Sequence, residues 1–224
     1  MQENQSNKQR LERISEILQM MRDKLVEELN RRMFSEHSKI TIKILVLREV
    51  LAKRIYELAQ AAFNLFAENK IIPAIILTRS VVETSACLEY LYEGINSSLS
   101  DKSTEKLEKI LMKMFIGTKN DPEVVDPIHL MDIIRKVDKK YDGFLFSYEE
   151  LSEFCHPNWA GCIGSYSEIM SDSPIVKVGM SDAVMEYPKD LGIVSLLGAM
   201  ELFLSAYINL RKIIGKFILH SEKY

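Results

Sequence analysis

The sequence predicts a mainly α-helical bundle with a small β-hairpin or extended flap inserted before its last long helix. Apolar residues recur at three- and four-residue steps along most of the chain, which is the spacing of amphipathic helices. The period changes over residues 162–170 and 175–180, two short runs around a Ser-Asp-Ser-Pro turn, the second of them rich in β-branched residues. A length of 224 residues without internal repeats fits a single domain, residues 1–224.

Two long amphipathic helices open the predicted bundle. The first, residues 8–32, carries a narrow apolar stripe that suits packing across a bundle or pairing with a second copy. We therefore interpret residues 1–35 as an N-terminal helix that is either peripheral or dimerising. The second helix, residues 38–69, carries the same kind of stripe, with its lysines and glutamates on other faces.

The third predicted helix, residues 72–93, is apolar on nearly every face, which is typical of a helix in the middle of a bundle. Pro73 is tolerated in its first turn, and Gly94 marks its predicted end. A polar turn is expected over residues 97–103.

Shorter helices are predicted over residues 104–116 and 128–140, separated by a loop with two Asp-Pro breakers. The last helix, residues 189–219, is predicted to open at Pro188. No stretch reaches the roughly 18 uncharged apolar residues of a membrane-spanning helix, so no membrane association is expected.

The net charge and the number of cysteines indicate which partners and which cellular compartment to expect. A formal net charge of −3 argues against bulk electrostatic binding to nucleic acid, which leaves only a local basic face for such a partner. The three cysteines are too few and odd in number for a disulfide scaffold, which favours a cytoplasmic protein. Cys155 and Cys162 have no CxxC partner, and Gly-rich phosphate loops are absent, so neither a metal nor a cofactor is predicted.

One pair of opposite charges stands out on the third helix. Arg79 and Glu83 lie four residues apart, so their side chains share one face among apolar neighbours. Neither side of this helix is an obvious solvent face, so the pair is predicted to be buried and hydrogen-bonded. It is either a structural ion pair that sets the register of the bundle or part of a functional site.

A second polar group is predicted on the helix before Pro157. Ser147 and Glu150 match a capping box that would begin this helix, and Pro157 would end it at His156. Tyr148, Ser152 and His156 follow at four-residue steps and so stack on one face. His156 is then either a general acid or base with Ser152 or Tyr148 as its partner, or a histidine that ties a helix end to a neighbour.

The segment after this helix supplies candidate ligand-binding residues. Asn158 and Trp159 follow Pro157 directly, and together with Tyr148 they are predicted to bind a ligand if one is present. An apolar cavity lined by Tyr90, Trp159 and Tyr166 would indicate a small-ligand sensor.

Charge is distributed unevenly along the chain. Residues 1–54 contain 12 Lys and Arg against 8 Asp and Glu, whereas residues 121–153 contain 4 against 9. This asymmetry suits either a head-to-tail contact of two copies or a basic partner, and solvated helix faces give the same counts.

Residues 79–83, R-S-V-V-E, and residues 148–158, Y-x-x-L-S-x-x-x-H-P-N, resemble motifs of a family of uncharacterised bacterial all-helical proteins. In that family an R-S-x-x-E helix is followed by a Y-x-x-L-S-x-x-x-H-P segment, and the resemblance covers residues 40–215. The family is distantly similar to the HEPN superfamily of helical bundles. HEPN proteins occur in toxin–antitoxin and phage-defence systems, often as dimers, and many are metal-independent ribonucleases. The resemblance therefore implies a homodimer, with a protein partner in such a system.

The chain departs from the HEPN catalytic motif, in which an arginine precedes the histidine by about four to six residues in one helix. No arginine stands at that distance before His156, so only Arg79 could supply the cation. The leading hypothesis is an interaction or regulatory module in which Arg79, Glu83, Ser152 and His156 form a central polar network. One alternative is a ribonuclease-like enzyme that uses His156 and Arg79, and another is the small-ligand sensor.

Overall fold

Helices dominate the computed structural model, which describes residues 2–29, 39–169, 174–179 and 182–221. Over these ranges the elements are α1 (Gln2–Arg22), α2 (Lys39–Ala67), α3 (Ile71–Asp101), α4 (Glu105–Ile116), α5 (Leu130–Asp138), α6 (Phe144–Cys155), a π-helical turn (Trp159–Ile163), α7 (Gly164–Tyr166), β1 (Ser167–Ile169), β2 (Val176–Val178) and α8 (Asp182–Ser221). The predicted class, a helical bundle with a small hairpin before its last long helix, is confirmed.

Helix α3 forms the centre of the bundle. It packs against α2 and α8 along its length and against α4, α5 and α6 on its remaining sides. Ile75, Leu88 and Leu91 on this helix are completely buried, as the apolar pattern predicts. The approach of α8 is close, because the Ser85 hydroxyl donates a hydrogen bond of 2.8 Å to the carbonyl of Ala199.

Helix α1 contributes to the same core. Ile14 and Ile17 are completely buried, and the helix packs against α8 and α2. It ends at Arg22, ten residues before the predicted end, and residues 30–38 lie outside the described part of the chain. Whether α1 also pairs with a second copy stays a prediction.

The predicted end of the third helix at Gly94 is wrong, because α3 continues to Asp101. It stops at Lys102, whose left-handed backbone, with φ of 52°, lets the N–H of Ser103 bond to the carbonyl of Ser98 at 3.2 Å. A Cβ atom at Gly94 would lie 3.0 Å from Ile110 Cδ1. This glycine therefore serves the close packing of α4 on α3 instead of ending the helix.

The starts of two helices, α6 and α8, also differ from the prediction. Helix α6 begins at Phe144, where Gly143 adopts φ of 84° and its carbonyl accepts a hydrogen bond from the N–H of Ser147. The predicted capping box at Ser147 is therefore wrong. Helix α8 begins at Asp182, so Pro188 lies inside it and only removes the hydrogen bond to the carbonyl of Val184.

The hairpin is shorter than predicted. Strands β1 and β2 pair in antiparallel register with Glu168 opposite Lys177, whereas residues 159–166 are helical. The predicted strand ends at Met170 and Met180 and the turn at 171–173 lie outside the described residues.

Helices α3 and α8 are long and apolar enough to cross a membrane by length and composition alone. In this fold 61% of the apolar stretch of α3 and 50% of that of α8 are buried within the protein. Central helices of soluble bundles share this composition with membrane-spanning helices.

Candidate functional site

Arg79 is the centre of a polar network between α3 and α6. Its Nε donates a hydrogen bond of 2.9 Å to the hydroxyl of Ser152, and its Nη2 donates one of 2.6 Å to the hydroxyl of Tyr148. Nη2 also lies 3.3 Å from Oε1 of Glu83. The structure thus brings four of the predicted site residues together across more than 60 residues of sequence.

Tyr148 connects the two charges of this network. Its hydroxyl accepts the bond from Arg79 and donates one of 3.2 Å to Oε1 of Glu83. Burial, together with the negative charge of Glu83, raises the pKa of Tyr148, so the phenol keeps its proton. The guanidinium carbon of Arg79 lies 4.9 Å from the centre of the same ring, which adds a cation–π contact.

The helical spacing of α6 explains why these groups meet. Tyr148 and Ser152 are one turn apart and face α3, and the Ser152 hydroxyl donates to the carbonyl of Tyr148 at 2.7 Å. That hydroxyl therefore points its oxygen at Arg79 as an acceptor. The network thus links α3 to α6 through side chains that both helices contribute.

The prediction that Arg79 and Glu83 are buried is wrong, because both side chains are only partly buried. Their side chains are 31% and 21% exposed, while Tyr148 is only 5% exposed. The physical reason is that α6 covers this face of α3 only in part, so a stripe that includes Ile76, 44% exposed, reaches solvent. Water can approach the charges from one side.

The His156 side chain is not part of this network. It is exposed and makes no side-chain hydrogen bond or ion pair with the described residues. Helix α6 ends at Cys155, and His156 has extended backbone angles because Pro157 follows it. The four-residue stack from Tyr148 is therefore broken at the residue where a catalytic role was predicted.

Asn158 has a structural role in the turn that follows. Its side chain accepts a hydrogen bond of 2.9 Å from the N–H of Gly161 and donates one of 2.9 Å to Glu153. Gly161 fits there because a Cβ atom would clash with the carbonyl of His156. These contacts stabilise the π-helical turn, in which the chain leaves the direction of α6.

The aromatic residues proposed for a sensor cavity lie apart. Trp159 is 68% exposed and Tyr166 is 37% exposed near the hairpin. Tyr90 lines a different cleft, between α3 and α5, together with Lys113 and Lys136.

A buried cluster between α2 and α8 was not predicted. Arg48 and Glu49 are each 8% exposed and form an ion pair of 3.0 Å, and Glu49 accepts a hydrogen bond of 2.8 Å from Tyr207. Arg48 also lies 3.9 Å above the ring of Tyr207. Burial, with the hydrogen bond to Glu49, raises the pKa of Tyr207 to about 12. The available signal was a charged pair inside the apolar run I-L-V-L-R-E-V-L.

A second missed cluster joins α3 to the segment after α5. Glu89 is 2% exposed, and its carboxylate binds the ammonium of Lys140 at 2.5 Å and the hydroxyl of Tyr141 at 3.4 Å. Glu89 follows Leu88 on the apolar central helix, which was the signal in the sequence.

The chemistry open to the central network is limited by these contacts. Two of the three guanidinium nitrogens of Arg79 are already bonded within the chain. In the part of the chain that the structure describes, no group of three or more His, Cys, Asp and Glu residues is placed to hold a metal ion. Comparison of the chain with known protein families, with curated proteins and with solved structures finds no match.

Proposed function

We propose that this protein is an interaction or regulatory module of the HEPN-like type, without catalysis at the Arg79 network. The observation that carries the proposal is the engagement of Arg79 by Ser152, Tyr148 and Glu83 of its own chain. A cation held in this way stabilises the packing of α3 on α6. A role beside a partner protein fits the systems in which HEPN-like proteins occur.

The ribonuclease alternative needs a base for the ribose 2′-hydroxyl and a cation for the developing phosphorane charge. His156 and Arg79 would have to face one substrate. His156 is an exposed residue outside the network, and using Arg79 would cost its bonds to Tyr148 and Ser152. The geometry therefore supports a binding role better than this reaction.

The surface that we assign to binding is the flap surface, formed by the π-helical turn, the hairpin and the start of α8. It contains exposed apolar side chains, with these exposed fractions: Trp159 68%, Ile163 50%, Val176 51%, Val178 88% and Tyr187 56%. A two-stranded hairpin has little stability of its own in water. Its exposed apolar residues are thus expected to be covered by a partner.

The elements of the flap surface are connected by specific contacts. The N–H of Gly179 bonds to the carbonyl of Tyr166, which attaches the hairpin to α7. The hydroxyl of Tyr187 donates to Glu150 at 2.7 Å, which attaches the start of α8 to α6. Within the hairpin, Val176 and Val178 point to one face, and the ion pair of Glu168 and Lys177 lies on the other.

The charge around the flap surface selects the partner. Residues 144–190 contain eight Asp and Glu against two Lys, a balance of −6 in a chain with a net charge of −3. Two copies meeting through this surface would bring acid against acid, which disfavours self-association there. A partner protein that presents a basic segment with interspersed apolar residues is complementary in both respects. The predicted homodimer would then use a different surface.

Trp159 allows a direct test, because it is the only tryptophan of the chain and lies on the flap surface. We expect a synthetic peptide of about twelve alternating Lys and Leu residues to shift the fluorescence of Trp159 to the blue, and the shift should saturate with peptide concentration. A Glu-Leu peptide of the same length should cause no shift, and a Lys-Ser peptide should bind more weakly.

Matched variants locate the binding. Val178→Ser and Ile163→Ser should each weaken the binding of the Lys-Leu peptide by about tenfold, which is the effect of losing a central apolar contact. Ile116→Ser is the control, since Ile116 is 50% exposed on α4, which packs on α2 and α3 away from the flap. Equal weakening in the control, or no shift with the wild-type protein, would overturn the proposed surface. Cleavage of RNA that His156→Ala abolishes would favour the enzyme instead.

A further inference from the structure

A second candidate binding site is a cleft that shares no residue with the flap surface. It lies where the end of α1 meets α2 and α8 and has a volume of about 290 Å³. Its lining residues are Met20, Met21, Lys24, Leu25, Ala52, Phe203, Leu204, Tyr207, Ile208 and Arg211.

The floor of the cleft is apolar and well packed. Ala52 and Phe203 are 3% and 1% exposed, and Met21 is 7% exposed. Tyr207 also lines the cleft, and its hydroxyl donates a hydrogen bond of 2.8 Å to Glu49. An apolar group that reaches the floor would therefore meet side chains that have no unsatisfied polar atom.

Among the described residues, the rim of the cleft carries two cations and no anion. Lys24 and Arg211 are exposed, and neither side chain makes an ion pair or hydrogen bond with the residues that the structure describes. The turn that holds Lys24 is ordered by bonds from the N–H groups of Lys24 and Leu25 to the carbonyl of Met21. No acidic side chain is among the lining residues in the described ranges.

We propose that this cleft binds a small, free amphiphile with one apolar chain and one anionic headgroup, such as a medium-chain carboxylate. The apolar floor takes the chain, and Lys24 with Arg211 takes the headgroup. The volume of about 290 Å³ lies just below the roughly 300–1,000 Å³ of small-molecule sites, which suits one chain better than a larger ligand. Bound there, the amphiphile joins α1 to α8.

The test compares three ligands with the same tail, titrated calorimetrically into the full chain below their micelle concentrations. Decanoate should bind at least about tenfold more tightly than decanol, and decyltrimethylammonium more weakly still, if the rim recognises an anion. Equal affinities for decanoate and decanol would overturn the assignment of the headgroup. An absence of heat with decanoate at millimolar concentration would overturn the site.

Variants of exposed residues give the second part of the test without threatening the fold. Lys24→Gln and Arg211→Gln should each reduce the affinity for decanoate several-fold and leave that for decanol unchanged. Lys212→Gln is the matched control, because Lys212 is exposed on the same helix but does not line the cleft. An equal loss in Lys212→Gln would mean general charge attraction and would refute the site.

Vesicles separate a free ligand from a lipid surface. Phosphatidylcholine vesicles with phosphatidylglycerol should not bind more strongly to the wild-type protein than to Lys24→Gln. Vesicle binding that depends on Lys24 and Arg211, without binding of decanoate, would show a membrane contact in place of the proposed site. Because the flap surface shares no residue with this cleft, the peptide experiment and this one can fail separately.

Discussion

At the scale of single residues, Arg79 and His156 differ in how firmly the chain holds them. Arg79 bonds to Ser152 and Tyr148 and pairs with Glu83, so its loss would leave partly buried acceptors without a donor. His156 is exposed and has no side-chain partner in the described ranges. The two residues should therefore respond very differently to replacement by alanine.

We expect Arg79→Ala to lower the free energy of unfolding by about 2 kcal/mol, since a partly buried carboxylate loses its cation. The double change Arg79→Met with Glu83→Leu should cost less than Arg79→Ala alone, because it leaves no unpaired charge. His156→Ala should change stability by less than about 0.5 kcal/mol. Urea denaturation followed by circular dichroism measures all three. Similar losses in His156→Ala and Arg79→Ala would contradict this account of the network.

The thiol of Cys87 provides a test of burial on α3. Burial, and next the negative charge of Glu83, raise the pKa of Cys87 to about 11. In the folded protein at pH 8, only about one thiol in a thousand is then ionised and reactive. Alkylation by iodoacetamide, measured by mass spectrometry of the Cys87 peptide, should rise about tenfold per pH unit from pH 8 to 10. The same peptide in urea-unfolded protein is the control and should react far faster at pH 8.

At the scale of elements, three of the polar clusters among the described residues, each with a buried or partly buried ion pair, join helices. They join α3 to α6 through Arg79, α2 to α8 through Glu49, and α3 to the segment after α5 through Glu89. Each contains an ion pair and at least one tyrosine hydroxyl, so each charged group has a partner. We infer that these contacts favour one pairing of helix faces over others, because a mispaired arrangement would leave a buried charge without a partner.

The cluster at Glu89 shows the consequence for stability. Burial disfavours the charged form of Lys140, but the hydrogen bond and negative charge of Glu89 outweigh it and raise the pKa of this lysine. A raised lysine pKa means that the contribution of the pair is complete at neutral pH and is lost only above the usual lysine range.

We expect Lys140→Ala to destabilise the protein by about 2 kcal/mol, because Glu89 would remain buried with only Tyr141 as its partner. Adding Glu89→Gln should restore more than half of that loss. Lys139→Ala is the control, since Lys139 is exposed and forms no ion pair with the described residues. Thermal and urea denaturation give the comparison, and an equal effect of Lys139→Ala would rule out the pairing as the cause.

At the scale of the whole molecule, the flap surface and the cleft beside α1 lie among residues of opposite charge. Residues 144–190, which include the flap surface, are acidic with exposed apolar side chains, whereas the cleft beside α1 is rimmed by Lys24 and Arg211. The two surfaces therefore attract ligands of opposite charge. This separation is the physical basis for proposing a basic protein partner at one and an anionic amphiphile at the other.

The sequence by itself determined the helical class, the apolar stripes and the central position of α3, because helical periodicity is a local property. It also placed Arg79 beside Glu83 and Tyr148 beside Ser152, since residues four apart share a helix face. Helix ends were less predictable, as Gly94 shows: its role depends on Ile110 of another helix.

Only the tertiary structure decided which faces meet and which remain open. It paired Arg79 with Ser152 across 73 residues, joined Glu49 to Tyr207 across 158, and left His156 exposed. Such pairings depend on how whole helices pack, and packing is set by the sum of many apolar contacts over the entire bundle. A motif such as the one that ends at His156 specifies its own turn of helix, whereas the burial of its side chains is set by the neighbouring helices.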